Sequence, residues 1–153
     1  MRIAVDANTV LPGLFFRGNE RRLLHEAHRG AGTLVLAEDV VDEVFAVAEE
    51  AFRDDPDLTE ALRVPESLLS AGERVRREVY SRDVDRWRSV LRDPSDAPHL
   101  ACAKAVGADG VISGDKDVLD LTGAEGLRIY RSRELLRRLG TSTREGAQSE
   151  DGA

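Results

Sequence analysis

The stretch Arg92-Asp93-Pro94-Ser95-Asp96-Ala97-Pro98-His99-Leu100-Ala101, continuing through Val106-Gly107 to Gly110-Val111-Ile112-Ser113-Gly114-Asp115, contains a whole structural unit. Asp96 is a good helix N-cap, and Pro98 is tolerated in the first turn that follows. The apolar run to Val106 predicts a helix, and Gly107 supplies its C′ stop. Gly110 to Ser113 is a short, apolar, partly β-branched run, the mark of a strand buried on both faces. Asp115 then falls just past the end of that strand. A helix delivered into a buried strand that ends in an acid is the repeating unit of an α/β fold with a parallel sheet.

The same unit recurs on both sides. Arg2 to Val5 predicts a buried strand closed by Asp6, with Pro12-Gly13 interrupting the chain beyond it. Glu20 to Arg29 predicts a helix with Leu23, Leu24 and Ala27 inward and Gly30 at its end. Thr33 to Ala37 is a second strand. Glu38 to Phe52 is an amphipathic helix whose apolar face carries Val40, Val41, Val44, Phe45, Val47, Ala48 and Ala51. Asp54-Asp55-Pro56 breaks the chain before short helical segments at Thr59 to Arg63 and Glu66 to Leu69. The arginine-rich run Glu73 to Leu91 reads as one or two helices. Downstream, a short helix begins near Lys116, Leu127 to Tyr130 is a fourth strand, and Ser132 caps a last helix, Arg133 to Leu139. Four strands alternating with helices predict a central parallel sheet covered on both faces. The domain spans 1–139, and the polar run 140–153 is expected to be a disordered tail.

Composition narrows the function. The chain has 153 residues, 41% hydrophobic, which suits one domain with one core. No apolar run approaches a membrane span, and the charged N-terminus is unlike a secretory signal, so the expected compartment is the cytoplasm. A single cysteine, Cys102, excludes an internal disulfide and a multi-cysteine zinc site, and reads as a small core residue. The net charge of −7 argues against a basic nucleic-acid coat. It leaves room for an enzyme that meets nucleic acid through a metal ion.

In open α/β sheets, ligands bind beyond the C-terminal ends of the strands. Asp6, Asp96 and Asp115 are expected at that edge, and Glu43 borders the apolar stripe of its helix at three and four residues from Val40, Val44 and Val47. Singly, each acid has an ordinary structural role: Asp6 closes a strand, Asp96 caps a helix, Glu43 is solvated, and Asp115 and Asp117 form a turn. Together they repel by ~4 kcal/mol per pair at 4 Å and an effective dielectric near 20. Something positive must offset this, and hard oxygen ligands select Mg²⁺ or Mn²⁺. Without a metal, at least one of these carboxyls is expected to titrate above its ordinary range. His99, three residues past Asp96, is read as structural rather than as a proton donor. Arg76 and Arg77 belong to an arginine run (Arg74 to Arg92) that either flanks the cleft and holds phosphate groups or forms a solvated helix paired with Glu73, Glu78, Asp83 and Asp85.

These residues resemble a known family. Ile3-Ala4-Val5-Asp6-Ala7-Asn8 is similar to the opening strand and loop of a PIN domain, and Val40-Val41-Asp42-Glu43-Val44 to its second motif. Asp93-Pro94-Ser95-Asp96-Ala97 resembles the third. Ala108-Asp109-Gly110-Val111-Ile112-Ser113-Gly114-Asp115-Lys116-Asp117 resembles the fourth. The resemblance implies an α/β/α sandwich and a Mg²⁺- or Mn²⁺-dependent ribonuclease, of the VapC-like kind that serves as the toxin of a toxin–antitoxin pair. It implies Asp6, Asp96 and Asp115 as metal ligands, with Asp117 as an extra one, and Glu43 as a further catalytic acid. Asn8 and Ser113 would hold the carboxylates. An RNA substrate, an antitoxin protein and a second copy of the chain are the partners so implied. A rival is a haloacid-dehalogenase-like phosphatase, approached by Asp6-Ala7-Asn8 and by Gly114-Asp115 with Asp120. There Asn8 cannot act as the required general acid, and Glu43 and Asp96 go unused. A third reading is a degenerate scaffold that binds RNA or a partner without cutting.

Overall fold

The computed structural model describes residues 1–30 and 32–140. Five parallel strands form one sheet in the order β3-β2-β1-β4-β5. They are β1 (Arg2–Ala4), β2 (Thr33–Ala37), β3 (Glu73–Val75), β4 (Gly110–Ile112) and β5 (Ile129–Tyr130). Helices α1 (Ala7–Phe15) and α2 (Asn19–His28) join β1 to β2. Helices α3 (Glu38–Ala51), α4 (Leu58–Ala61) and α5 (Arg63–Ser70) lead on to β3. Helices α6 (Arg77–Val90) and α7 (Ala97–Val106) return to β4, and α8 (Lys116–Leu119) leads to β5. A last helix, α9, occupies 132–140.

The chain moves outward from β1 to β3, then crosses back to β4 and moves outward the other way. Parallel crossovers are right-handed, so this reversal sets helices on opposite faces of the sheet and makes the expected α/β/α sandwich. The core is mainly apolar, and its buried polar members include Asp6, Asp96, His99 and Ser113. Ile3, Val5, Val35, Leu36, Val111 and Ile112 of the strands and Leu23, Val44, Leu100 and Leu135 of the helices are all fully buried. Cys102 is buried in the same core, and burial pushes its thiol up to about 12, so it is an inert packing residue.

Gly107 takes the left-handed conformation (φ 64°, ψ 44°) that ends α7. Its own N–H reaches Lys104 O at 3.3 Å and Ala108 N–H reaches Ala103 O at 3.0 Å, the paired bonds of a Schellman cap.

Three expectations need correction. First, Glu73 to Val75 is an edge strand and not part of a helix. Only Val75 of the three is buried, so no apolar period announces the strand. It is held by pairing with Val35, Leu36 and Ala37, and by a two-pronged bond from the Arg2 guanidinium to Glu73 at 2.9 and 2.6 Å. Second, Pro12-Gly13 does not interrupt the chain, because α1 runs straight through both. The Asp6 cap starts α1, and the packing of Gly13 against α2 holds it. A methyl group on Gly13 would stand 2.6 Å from Leu24 Cδ1 and 3.1 Å from the Glu20 carbonyl carbon. Third, Asp96 does not cap α7; its side chain makes no capping bond. The cap in this loop is Asp93, which accepts from Ser95 N–H at 3.0 Å and from the Ser95 hydroxyl at 2.7 Å. Of the tail expected over 140–153, Gly140 closes α9 and the rest lies outside the described residues.

Candidate active site

The register of the sheet fixes the site. Ala4 pairs with Val111, and Ile112 pairs with Tyr130. Continuing the two ladders past the strand ends sets Asp6, Ser113 and Arg131 in one row across the C-terminal edge. This is where the strand order reverses between β1 and β4, the place where such sheets open a crevice.

Asp6 is 6% exposed and serves as N-cap of α1, its Oδ1 accepting from Thr9 N–H at 2.9 Å. Asp115 is the N-cap of α8, its Oδ1 accepting from Asp117 N–H at 2.9 Å. Ser113 is buried, and its Oγ accepts from Asp115 N–H at 3.1 Å. It therefore steers the Asp115 carboxylate through the backbone instead of donating to it. Each of the two aspartates spends one oxygen on a backbone N–H.

Asp96, at the junction of a 3₁₀ turn (Pro94–Asp96) with α7, is 7% exposed. Its pKa is raised to about 6. Burial is the main cause; the charges of Asp6, Asp93 and Asp115 and a hydrogen bond with Asp115 act the same way. This is the raised carboxyl expected of acids sharing a small volume, and it ties Asp96 to both Asp6 and Asp115. Among the described residues, no three Asp, Glu, His or Cys side chains form a ready-made metal cage. The cluster is an open set of oxygens.

A cavity of about 400 Å³ opens over Asp6 and Asp115, and Asn8 and Ser113 also line it. A larger cavity, about 740 Å³, lies between α1, α2, α4 and α5. Its walls include Leu14, Leu24, Val64 and Leu68, and Glu60 is its only acid among the described residues, so size alone does not make it the chemical site.

The remaining candidates do not line this cavity, and neither does Asp96. Glu43 is exposed on α3 and lines neither cavity. Asp117 turns its Oδ2 to Arg92 Nε at 3.5 Å and is also absent from the cavity wall. His99 is buried, and its Nε2 donates to the Ile112 carbonyl at 3.2 Å. Burial lowers its pKa against the opposing pull of Asp6, so it is a neutral strut between α7 and β4. Arg77 is not free for a substrate, because its guanidinium lies 3.6 Å from Glu38, 3.0 Å from Asp39 and 3.1 Å from Asp42. It binds the start of α6 to the start of α3. Arg76 is exposed just before α6.

The sequence reading missed Arg131, Ser132 and Arg133, which also line the smaller cavity. The signal was present: they follow the last strand as Asp6 follows the first, so the edge rule applies equally to them.

Comparison with known proteins agrees with this fold. Residues 2–117 match the family model of the PIN domain. Among solved structures, the chain is similar to VapBC2 from Rickettsia felis, solved bound to a DNA fragment from their promoter. The TM-score is 0.61 at 11% identity, covering 86% of this chain and 98% of that one. It is also similar to PAE2754 from Pyrobaculum aerophilum, with a TM-score of 0.59 at 19% identity, covering 92% of this chain and 89% of that one. No curated protein matches the sequence. At such identities the structures speak for the fold alone, and the family model speaks for kinship: the chain belongs to the PIN domain family.

Proposed function

We propose that this protein is a Mg²⁺- or Mn²⁺-dependent endoribonuclease whose catalytic unit spans residues 1–139. In this reading it is the toxin of a bacterial toxin–antitoxin pair acting in the cytoplasm. The observation that carries the reading is the meeting of Asp6, Asp96 and Asp115 at the sheet's C-terminal edge, under an open cavity. Membership of a family of nucleases supports the activity. The likeness to VapBC2 supports an antitoxin partner, and a homodimer belongs to the same reading. No helix among the described residues is long and apolar enough to cross a membrane.

The donor set fits a hard dication. It consists of carboxylate oxygens, and a dication beside them would offset the mutual repulsion that, with burial, raises the Asp96 pKa. Asp6, Asp96 and Asp115 would hold the ion, with Asp117 and Glu43 completing the acidic set. When bound, such an ion supplies Lewis-acid polarisation of a phosphodiester and makes water more acidic. The chain's own residues do the positioning. Thr9 N–H fixes one oxygen of Asp6 and leaves the other for the cavity. Ser113 and Asp117 N–H fix Asp115 from two sides. Asn8 lines the same cavity.

Purified protein should cut RNA, lose the activity in excess chelator, and regain it with Mn²⁺ or Mg²⁺. Asp6→Asn and Asp115→Asn should each lose at least about a hundredfold in rate, on the order of one positioned catalytic group, with circular dichroism unchanged. Cutting that persists in chelator, or in both variants, refutes the site. Turnover of phosphomonoesters through a phosphorylated Asp6 favours the phosphatase instead, and RNA binding without cleavage at any metal concentration favours the inactive scaffold.

A further inference from the structure

We propose that Arg131 and Arg133, with the hydroxyl of Ser132 between them, form a phosphate-binding subsite. It would hold the RNA backbone next to the bond that is cut. The proposal rests on the ribonuclease reading above.

An acidic cavity has a problem with an anionic polymer. The chain carries 29 acidic against 22 basic residues, and the cleft adds its own concentrated carboxylates. A metal ion at the carboxylates serves the scissile phosphate only; the neighbouring phosphates still meet negative potential. Positive groups on the same cavity would resolve this.

Arg131 and Arg133 are such groups. Both are exposed, and both line the cavity that Asp6 and Asp115 also line. The row across the sheet edge places Arg131 two strands from Asp6, roughly 10 Å at the usual strand spacing. That spacing keeps the guanidinium out of the carboxylate cluster while leaving it over the same opening. Several unpaired arginines of the fold lie elsewhere on the surface, and only Arg131 and Arg133 among the described arginines line this cavity; nine others are occupied. Arg2, Arg53, Arg63, Arg77, Arg86, Arg88 and Arg92 pair with acids, Arg21 bonds the carbonyls of Gly13 and Leu14, and Arg138 stacks on Tyr130. Arg131 and Arg133 have neither an ion pair nor a side-chain hydrogen bond among the described residues.

The third component is Ser132. It is 9% exposed and lines the cavity, and its hydroxyl has no hydrogen-bond partner among the described residues. The hydroxyl is open to the cavity rather than sealed in the core. A hydroxyl that faces a cavity between two free guanidinium groups is matched to an oxyanion. These residues also begin α9, whose first intrahelical bond runs from Leu135 N–H to Arg131 O at 3.1 Å. The N–H groups ahead of Leu135 have no acceptor within the helix and add positive potential at this point. Two forked cations and a hydroxyl suit a phosphodiester oxygen better than a carboxylate cluster or an apolar ligand. Such contacts fix the register of the strand and carry no base preference.

The test uses the full-length protein and a short fluorescent single-stranded RNA. Binding is measured in chelator, where no cleavage occurs, across a range of salt. Arg131→Gln/Arg133→Gln should weaken binding about tenfold and reduce the salt slope by about 1.4, from about 0.7 for each lost contact to a single strand. In the metal-loaded enzyme, KM should rise by more than kcat falls. Arg131→Lys/Arg133→Lys should recover most of the salt slope and part of the affinity. Arg53→Gln/Arg63→Gln removes the same charge elsewhere on the surface and should leave the slope unchanged; Ser132→Ala should weaken binding less than the arginine pair. If the glutamine pair binds and cuts like the parent, the subsite is overturned and the nuclease stands. If the surface control weakens binding equally, the effect is net charge and the subsite is again overturned. If the parent itself neither binds nor cuts RNA, the functional reading falls and takes the subsite with it.

Discussion

Replacing Asp96 by Asn tests whether the carboxylate cluster is held together against its own repulsion. Asp96 is buried beside Asp6, Asp93 and Asp115, and its pKa stands at about 6 against 3.8 for a free side chain. Between those two values the folded protein binds more protons than the unfolded chain. Stability without metal therefore falls as pH rises from about 3.8 through about 6, and levels off above that. At about 1.36 kcal/mol per unit, the full shift corresponds to about 3 kcal/mol. The solvated cavity above Asp6 and Asp115 screens part of the repulsion, which brings the expected cost to about 1–2 kcal/mol. An amide of the same shape carries no charge to repel. In chelator, Asp96→Asn should match the parent near pH 4 and exceed it by about 1–2 kcal/mol above pH 7. That corresponds to a gain of roughly 2–8 °C in melting temperature for a chain of this size. Urea denaturation at several pH values measures the difference directly. Adding Mn²⁺ at a hundredfold excess over its dissociation constant should stabilise the parent by about 2.7 kcal/mol and the variant by much less. A difference that stays constant with pH, or a variant weaker than the parent at pH 7.5, would refute the account. Asp96 would then be an ionised, well-satisfied residue.

Other perturbations probe the frame around the site. Tyr80→Phe removes a buried hydroxyl that donates to Asp39 at 2.5 Å and accepts from Asp39 N–H at 3.2 Å, and should cost about 1.5–3 kcal/mol in chemical denaturation. Burial disfavours the Asp39 charge, but Tyr80 and Arg77 outweigh it and hold its pKa below the ordinary value. The stability this gives is present above pH 4 and is lost as pH falls through the lowered pKa, so the acid limb of the Tyr80→Phe curve should be shallower. Gly13→Ala gains about 1 kcal/mol of helix propensity but drives a methyl into Leu24 and the Glu20 backbone, and should lower the melting temperature on balance. A higher melting temperature for that variant would show that α1 and α2 are not in contact as described.

The sequence reveals this fold wherever a strand is buried on both faces. Ile3, Val35 and Val111 stand in apolar runs, and each run ends at a turn residue or a helix start. The edge strand is hidden because Glu73-Arg74-Val75 has one buried residue and is specified from outside, by Arg2 and by the ladder of β2. Pro12 misleads for a related reason: a proline signals a break locally, and only the packing of Gly13 against Leu24 shows that the helix continues. At the site, Asp6 and Asp115 are legible because each acid falls just past the end of a buried strand, at the edge where parallel sheets bind ligands. Arg77 is not, because its partners Glu38, Asp39 and Asp42 lie on another helix and no spacing in the sequence reveals them. Arg131 and Arg133 are harder to see because they are two of many arginines, and only the end of β5 distinguishes them from the rest.

The strand order has a consequence for how the carboxylate cluster comes into being. β1 lies at the centre of the sheet, bonded to β2 on one side and to β4 on the other. A ribosome delivers β1, β2 and β3 early, and these three can pair as soon as they emerge. The partner on the open side of β1 comes only after α6 and α7 have been made. Until then Asp6 borders half a sheet, with no Asp96 or Asp115 beside it. Contacts of such long sequence separation form late in folding. The carboxylate cluster is therefore complete only once β4 has paired with β1, which makes it one of the last features of the described fold to assemble.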